Sequence, residues 1–182
     1  MKKINIVVAI VLLFCFGCSE KPGAETTAKN ALASFKENSY EKYAKEVLLK
    51  AEDWKKIHDY ALDNNGEKIP GDIKNLTEEK MQEMEDGMLM RCSKQWKEFR
   101  RYGIEDGINW DEAEFVSKEL EGEPDSLFKG SKVAKVNMAV NFSSKNNFYS
   151  LGLQECISMP DGEWKCMCPT GITKSSSSGK SE

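Results

Sequence analysis

Hydrophobic residues recur with helical periodicity through the first half of the chain. Apolar side chains at i, i+3, i+4 and i+7 between residues 28 and 35 predict a first amphipathic helix. The same period continues from Tyr40 to Ala61 and predicts a second helix. A third is predicted to begin near Thr77 and to end at Gly103 and Gly107.

The inward stripes of the second and third helices contain the candidate pocket residues. Methionine is flexible and fills irregular cores, so core packing is its ordinary role there. The alternative interpretation is an adaptable apolar pocket. Its candidate lining residues are Met81, Met84, Met88 and Trp96 from the third helix, with Trp54 and His58 from the second.

From Trp110 onward the period changes to two, which is typical of half-buried strands. Clear strands are predicted at 134–142, 148–159 and 163–168, with a weaker one within 113–120. The turns between them fall at 143–147 and at Pro160-Asp161-Gly162. Helices first and an antiparallel sheet afterwards predict an α+β fold, with three N-terminal helices packed on a curved sheet of about four strands.

The first 17 residues have the layout of a secretory signal, a positive start followed by an apolar run too short to span a bilayer. The residues Phe16-Gly17-Cys18-Ser19 resemble the lipobox of bacterial lipoproteins, although Cys15 stands where that motif usually has Leu. The resemblance implies that Cys18 is acylated, for example with palmitate, and becomes the first residue of the mature chain. Ser19, where inner-membrane lipoproteins usually have Asp, implies an outer-membrane destination in a cell that has one.

Charge and composition limit the expected partners and the domain organisation of the rest of the chain. The formal net charge of −4 becomes about −6 once Lys2 and Lys3 leave with the signal. No basic stripe of the kind that nucleic-acid binding needs is present, so nucleic acid is not an expected partner. We expect a lipidated cysteine and tether at 18–25, one folded domain at 26–173 and a disordered Ser-rich tail at 174–182.

Four cysteines remain after Cys15 and Cys18 are assigned to the signal and the lipid: Cys92, Cys156, Cys166 and Cys168. An even number in an exported chain predicts disulfides, whereas the spacing fits a metal site poorly. A three-residue turn at 160–162 would place Cys156 opposite Cys166 and leave Cys92 for Cys168. A two-residue turn at Asp161-Gly162 is the rival register, and it would point Cys156 to the other face.

The helices, the strands and the closing Asp161-Gly162-Glu163-Trp164-Lys165 hairpin together resemble the nuclear-transport-factor-2-like, or cystatin-like, cone. The segment from Asn64 to Thr77 and the four cysteines depart from that pattern. In such folds the sheet curls round the helices and leaves a cavity, which some relatives use for acid–base chemistry and others for binding. The resemblance therefore implies a fold and does not choose a function.

Candidate chemistry is sparse. His58 is the one side chain expected to titrate near neutrality, and no carboxylate lies four residues from it to orient its ring. No nucleophile elbow or phosphate-binding glycine loop occurs, and no cofactor is predicted. We expect a non-catalytic binding or accessory protein of the envelope that captures a small apolar ligand or a protein partner, as inhibitors and immunity proteins do. The alternative is a small cone-fold enzyme with His58 or a buried carboxylate as base.

Overall fold

The structure, a computed structural model, describes residues 23–65 and 69–175. The predicted signal peptide at 1–17, Cys18 and residues 176–182 of the predicted tail lie outside these residues. The described part is an α+β fold with an antiparallel sheet of five strands and several helices. The helices are α1 (Ala24–Lys36), α2 (Tyr40–Glu46), α3 (Ala51–Asn65), α4 (Gly71–Lys74) and α5 (Glu78–Glu105).

Two helix predictions need correction. The helix α1 begins at Ala24, so the folded body starts inside the segment assigned to the tether. The predicted second helix is divided into α2 and α3 by the segment from Val47 to Lys50, and α4 is a short addition within 64–77.

The segment between α2 and α3 is not helical, because its side chains are buried together. Val47, Leu48 and Leu49 are all 0% exposed, and three consecutive buried residues cannot share one stripe of a helix. Their backbone instead pairs with Cys166, which donates to the Val47 carbonyl at 2.8 Å and accepts from the Leu49 N–H at 3.0 Å. The segment thus adds a short parallel bridge to the edge of the sheet.

The boundaries of α5 agree with prediction at its start and differ at its end. The Thr77 hydroxyl accepts a hydrogen bond from the Lys80 N–H and caps the helix. The helix continues through Gly103, which does not end it as predicted. A Cβ at Gly103 would lie 2.6 Å from the Trp110 ring, so this glycine is needed for close packing, whereas Gly107 at φ +88° ends the helix.

The strands are β1 (Glu114–Ser126), β2 (Ala134–Ser144), β3 (Asn147–Ser158), β4 (Trp164–Lys165) and β5 (Pro169–Ser175). The order is β1-β2-β3-β4, and β5 pairs with the same edge of β3 as β4 does, nearer the start of β3. Two strand predictions need correction. The predicted strand at 163–168 forms regular pairs only at Trp164–Lys165, and Lys174 and Ser175, assigned to the tail, belong to the sheet.

The register of the β3–β4 hairpin agrees with the three-residue turn. Ser158 pairs with Trp164, Met159 donates to the Glu163 carbonyl at 2.7 Å, and Gly162 has φ +89°. This register places Cys156 opposite Cys166, and those two residues form one disulfide. The second disulfide joins Cys168 to Cys92 on α5 and so ties the sheet to the longest helix.

Candidate functional site

The residues of the predicted apolar pocket lie in or against the hydrophobic core. Met81, Met88, Trp96 and Trp54 are at most 8% exposed and belong to a single hydrophobic core, and Met84 is half-buried against it. These residues therefore have the ordinary role of such side chains, which is to pack in the core. Trp96 also borders a surface groove next to Asn38.

A series of aromatic rings in contact with one another lies between the helices and the sheet. Phe35 of α1 lies 4.9 Å from Trp96 of α5 and 5.1 Å from Trp110, measured between ring centroids. The Trp110 ring is stacked with Phe142 of β2, and the Phe142 ring is stacked with Tyr149 of β3. The centroids of each pair are 5.6 Å apart. All five rings are at most 3% exposed. The interior that a cone fold could leave open is filled here by side chains.

His58 is 17% exposed, and its Nδ1 lies 3.4 Å from Asp59 Oδ1. No carboxylate lies four residues from His58, and the structure nevertheless brings the neighbouring Asp59 side chain to its ring. Asp59 also accepts from Lys55 Nζ at 2.8 Å, and this hydrogen bond is the main cause that lowers the Asp59 pKa. The pair lies at the surface of α3, outside the aromatic interior.

A buried carboxylate that sequence analysis missed lies at the start of α3. Asp53 is 0% exposed; its Oδ2 accepts from the Lys50 N–H at 3.0 Å and its Oδ1 lies 3.3 Å from Lys56 Nζ. The first contact is the N3 half of a capping box, because Lys50 immediately precedes the helix. Burial raises the Asp53 pKa, and the Lys50 N–H and the nearby lysines oppose that shift.

Asp53 belongs to a charge cluster that joins α3 to the β3–β4 hairpin. Lys56 Nζ lies 3.6 Å from Glu163, and Lys165 Nζ lies 3.1 Å from the other oxygen of Glu163. Two acids and two bases thus neutralise one another, with Asp53 and Lys165 both largely removed from solvent. Because both Asp53 oxygens are occupied, this arrangement suits a structural link better than a proton-transfer site.

An open surface lies at the opposite end of the molecule from this charge cluster and is called the end groove here. It consists of two adjoining depressions of about 650 and 440 Å³ that share Lys145. The first is lined mainly by the β2–β3 turn and the start of β1, the second by the end of α5 and the loop that follows it. Its charged lining residues are Arg100, Asp111, Glu112, Glu114 and Lys145.

Hydrogen bonds hold the floor of the end groove. The buried Ser144 hydroxyl accepts from the Asn109 N–H at 2.9 Å and donates to the Asn109 carbonyl at 3.0 Å, which fixes the loop to the hairpin. Arg100 Nε donates to the Phe35 carbonyl, and Trp110 Nε1 donates to the Arg100 carbonyl. The walls of the groove are therefore held by backbone groups and do not depend on a bound molecule.

The turn that presents Lys145 is strained. Lys145 and Asn146 have φ of +48° and +64°, the left-handed region that favours glycine, as expected for a two-residue hairpin turn. Asparagine tolerates that region, whereas a long side chain such as lysine rarely adopts it. Strain of this kind is concentrated at functional sites, so the turn draws attention to Lys145.

Other kinds of site find little support in the described residues. They contain no cluster of three or more His, Cys, Asp or Glu side chains that could hold a metal ion. Within the same residues, no helix has the length and apolar character that crossing a membrane requires.

Comparisons with known proteins identify no relative. No protein-family model, curated protein or solved structure matches the chain.

Proposed function

We propose that this protein is a non-catalytic binding or accessory protein of the bacterial cell envelope, anchored by lipid on Cys18. The lipobox-like residues 16–19 and the short apolar leader support the anchor. Two disulfides are compatible with an exported protein, because such bonds persist in oxidising compartments. Two or more acyl chains would hold the body at a membrane stably, in the outer membrane where the cell has one.

The partner is a protein bound at the end groove, and one observation carries this choice. Buried aromatic rings in contact with one another occupy the interior, which supports a site at the surface, and the end groove is open with a strained turn beside it. Lys145, Arg100 and three acidic side chains give that surface both signs of charge, which suits polar recognition at the rim of a protein interface.

The position of the groove also suits an anchored protein. The Thr27 hydroxyl near the start of α1 donates to the Trp164 carbonyl beside the β3–β4 hairpin, so the tether joins the body there. The β2–β3 turn with Lys145 lies at the other end of β3, roughly 35 Å away along a strand of this length. A partner could therefore reach the end groove without competing with the membrane for space.

The anchor is tested by metabolic labelling with a palmitate analogue. We expect the full chain to be labelled and Cys18→Ser to lose the label, because the thiol of residue 18 receives the lipid. The matched control is Cys15→Ser, which should remain labelled. Label that persists in the Cys18 variant, or that is lost from the Cys15 variant, would contradict the anchor.

Partner binding is tested by affinity capture with the full chain from detergent-solubilised envelope. Lys145→Asn removes the cation and keeps a residue that tolerates the turn, and Lys129→Asn removes an exposed lysine elsewhere. We expect a protein captured by the native chain and by the Lys129 variant to be lost, at least about tenfold, with the Lys145 variant. Equal capture by all three chains would refute the assignment to this groove.

The alternative function, a cone-fold enzyme, rests on the contact between His58 and Asp59 and on the buried Asp53. It requires a base that a substrate can reach. His58 is partly accessible but lies outside the aromatic interior, and Asp53 is enclosed by its partners. The same capture experiment distinguishes the two sites. If the His58→Asn chain fails to capture the partner protein and the Lys145→Asn chain still captures it, the result favours a site at α3 over the end groove.

A further inference from the structure

One exposed stripe of α5 has charges that are mirrored about its centre. The stripe follows steps of three or four residues, which keep side chains on one face of a helix. It is called the outer stripe here, and all of its members are exposed: Glu79, Glu83, Asp86, Met90, Lys94, Lys97 and Arg101. The acids all precede Met90 and the bases all follow it.

The mirror relation holds position by position. Asp86 and Lys94 lie four residues on either side of Met90, Glu83 and Lys97 seven residues, and Glu79 and Arg101 eleven residues. At each distance an acid on one side corresponds to a base on the other.

The helix dipole does not explain this arrangement. Acids are favoured in the first turn of a helix and bases in the last, and the effect falls off beyond those turns. Glu79 fits that rule. Glu83, Asp86, Lys94 and Lys97 lie too far inside a helix that runs from Glu78 to Glu105. The helix dipole therefore does not account for the order of the four inner charges.

The centre of the stripe is apolar and has small neighbours. Met90 is 77% exposed, the highest value among the exposed large hydrophobic residues described. Gly87 and Ser93 flank it at three residues on each side. A Cβ at Gly87 would meet no atom within 4 Å, so the packing of this chain gives no reason for a residue that weakens a helix. A glycine here would let another backbone approach closely.

We propose that the outer stripe binds the same stripe of a second copy, antiparallel, with Met90 on the two-fold axis. In that arrangement residue i of one copy faces residue 180 − i of the other. Asp86 faces Lys94, Glu83 faces Lys97 and Glu79 faces Arg101, each twice by symmetry, while Gly87 faces Ser93. This is a self-complementary contact of the kind that forms two-fold dimers. A parallel pair would place like charges together.

Existing contacts of the stripe are weak enough to be exchanged. Asp86 accepts from Gln82, and Arg101 pairs with Glu105 at 2.9 Å while lying over the Tyr102 ring. Both pairs connect exposed residues within one helix, and such pairs contribute little. The proposal does not depend on the function proposed for the end groove, because none of the stripe residues lines that groove.

Cross-linking of cysteine variants in membranes that contain the full chain tests the geometry. In Met90→Cys the two new thiols would meet at the axis, within reach of a disulfide. The matched control is Ile104→Cys, 53% exposed near the end of the same helix face. Its two copies would lie about 42 Å apart, since each is 14 residues from the axis at ~1.5 Å per residue.

We expect a mild oxidant to give a reducible dimer with Met90→Cys and none with Ile104→Cys or with the native chain. No dimer with Met90→Cys would overturn the proposal. A dimer with Ile104→Cys as abundant as that with Met90→Cys would also overturn it, because it would indicate random collision.

Charge exchange tests the recognition. Adding Lys94→Glu and Lys97→Glu to the Met90→Cys chain should reduce the cross-linked dimer at least about tenfold, since acids would then face acids. Adding Glu83→Lys and Asp86→Lys as well restores both complementarity and net charge, and should restore the dimer. Failure of this restoration, with thermal unfolding showing a folded chain, would mean that the stripe recognises something other than itself.

Discussion

The two ends of β3 are built in different ways. Around its C-terminal half lie both disulfides, the charge cluster of Asp53 and the bridge from Leu48 to Cys166. At its N-terminal end, a two-residue turn with two positive φ values faces the end groove. Covalent links and paired buried charges are thus concentrated near the β3–β4 hairpin, whereas the two depressions of the end groove lie at the other end of the strand.

This difference indicates that one end of β3 contributes mainly to stability and the other mainly to binding. The end near the β3–β4 hairpin holds the sheet, α3 and α5 together through bonds between residues distant in sequence. The end with the groove is held by Ser144 and Arg100, and its exposed lysine adopts a conformation that lowers stability. Changes at the first end should therefore lower the free energy of unfolding, whereas changes at the second should alter binding more than stability.

The largest effect is expected from removing the disulfide between α5 and the sheet. Cys92→Ala/Cys168→Ala should lower the free energy of unfolding by roughly 4–5 kcal/mol, because this bond links residues 76 apart. The bond from Cys156 to Cys166 links residues 10 apart, and its removal should cost only about 3 kcal/mol. Urea unfolding of both double variants measures the difference. A larger loss from the shorter link would show that local packing outweighs chain entropy.

The next effect concerns the buried carboxylate. Asp53→Ala should lower the free energy of unfolding by about 2–3 kcal/mol, because it leaves the partly buried Lys50 N–H without its acceptor and removes one of the two acidic partners of Lys56. Asp59→Ala is the matched control on the same helix and should change stability by less than about 0.5 kcal/mol, since Asp59 is exposed. Thermal unfolding measures both variants. If they lose equal amounts of unfolding free energy, burial does not distinguish the two acids.

Asp53 also predicts a pH dependence. Its pKa in the folded chain is raised above the ordinary 3.8, chiefly by burial. The folded state therefore holds this proton more tightly, and the associated stability is present below 3.8 and lost as pH rises through the folded pKa. Compared with Asp53→Asn, which does not titrate, the native chain should lose stability as pH rises from about 4. A difference that is constant with pH would contradict the raised pKa.

The sequence was most informative where local chemistry determines the conformation. Pro160 and Gly162 specify a three-residue turn, and the register of that turn places Cys156 opposite Cys166. The start of α5 at Thr77 follows from a capping residue before a periodic segment. Both features depend on a few adjacent residues, so they could be predicted without knowledge of the rest of the fold.

Prediction failed where distant residues decide the structure. Val47 and Leu48 satisfy a helical period, yet the chain leaves the helix here, where its backbone pairs with Cys166. The Ser-rich composition after Thr173 indicated disorder, yet Lys174 and Ser175 pair with β3. The role of Asp53 depends on Glu163 and Lys165, more than a hundred residues later. The end groove likewise joins α5, β1 and the β2–β3 turn.

The smallest effect separates strain from recognition at the end groove. Asn146→Gly should raise the free energy of unfolding by about 0.5–1 kcal/mol, because glycine adopts the positive φ of this position without steric cost. Its matched control, Asn147→Gly, lies in the ladder next to the turn and should lower stability by a similar amount. Because Lys145 is retained, capture of the partner should survive Asn146→Gly and still be lost with Lys145→Asn. If a stabilised turn also abolished capture, the strained backbone of the turn, rather than the lysine charge, would be what the partner recognises.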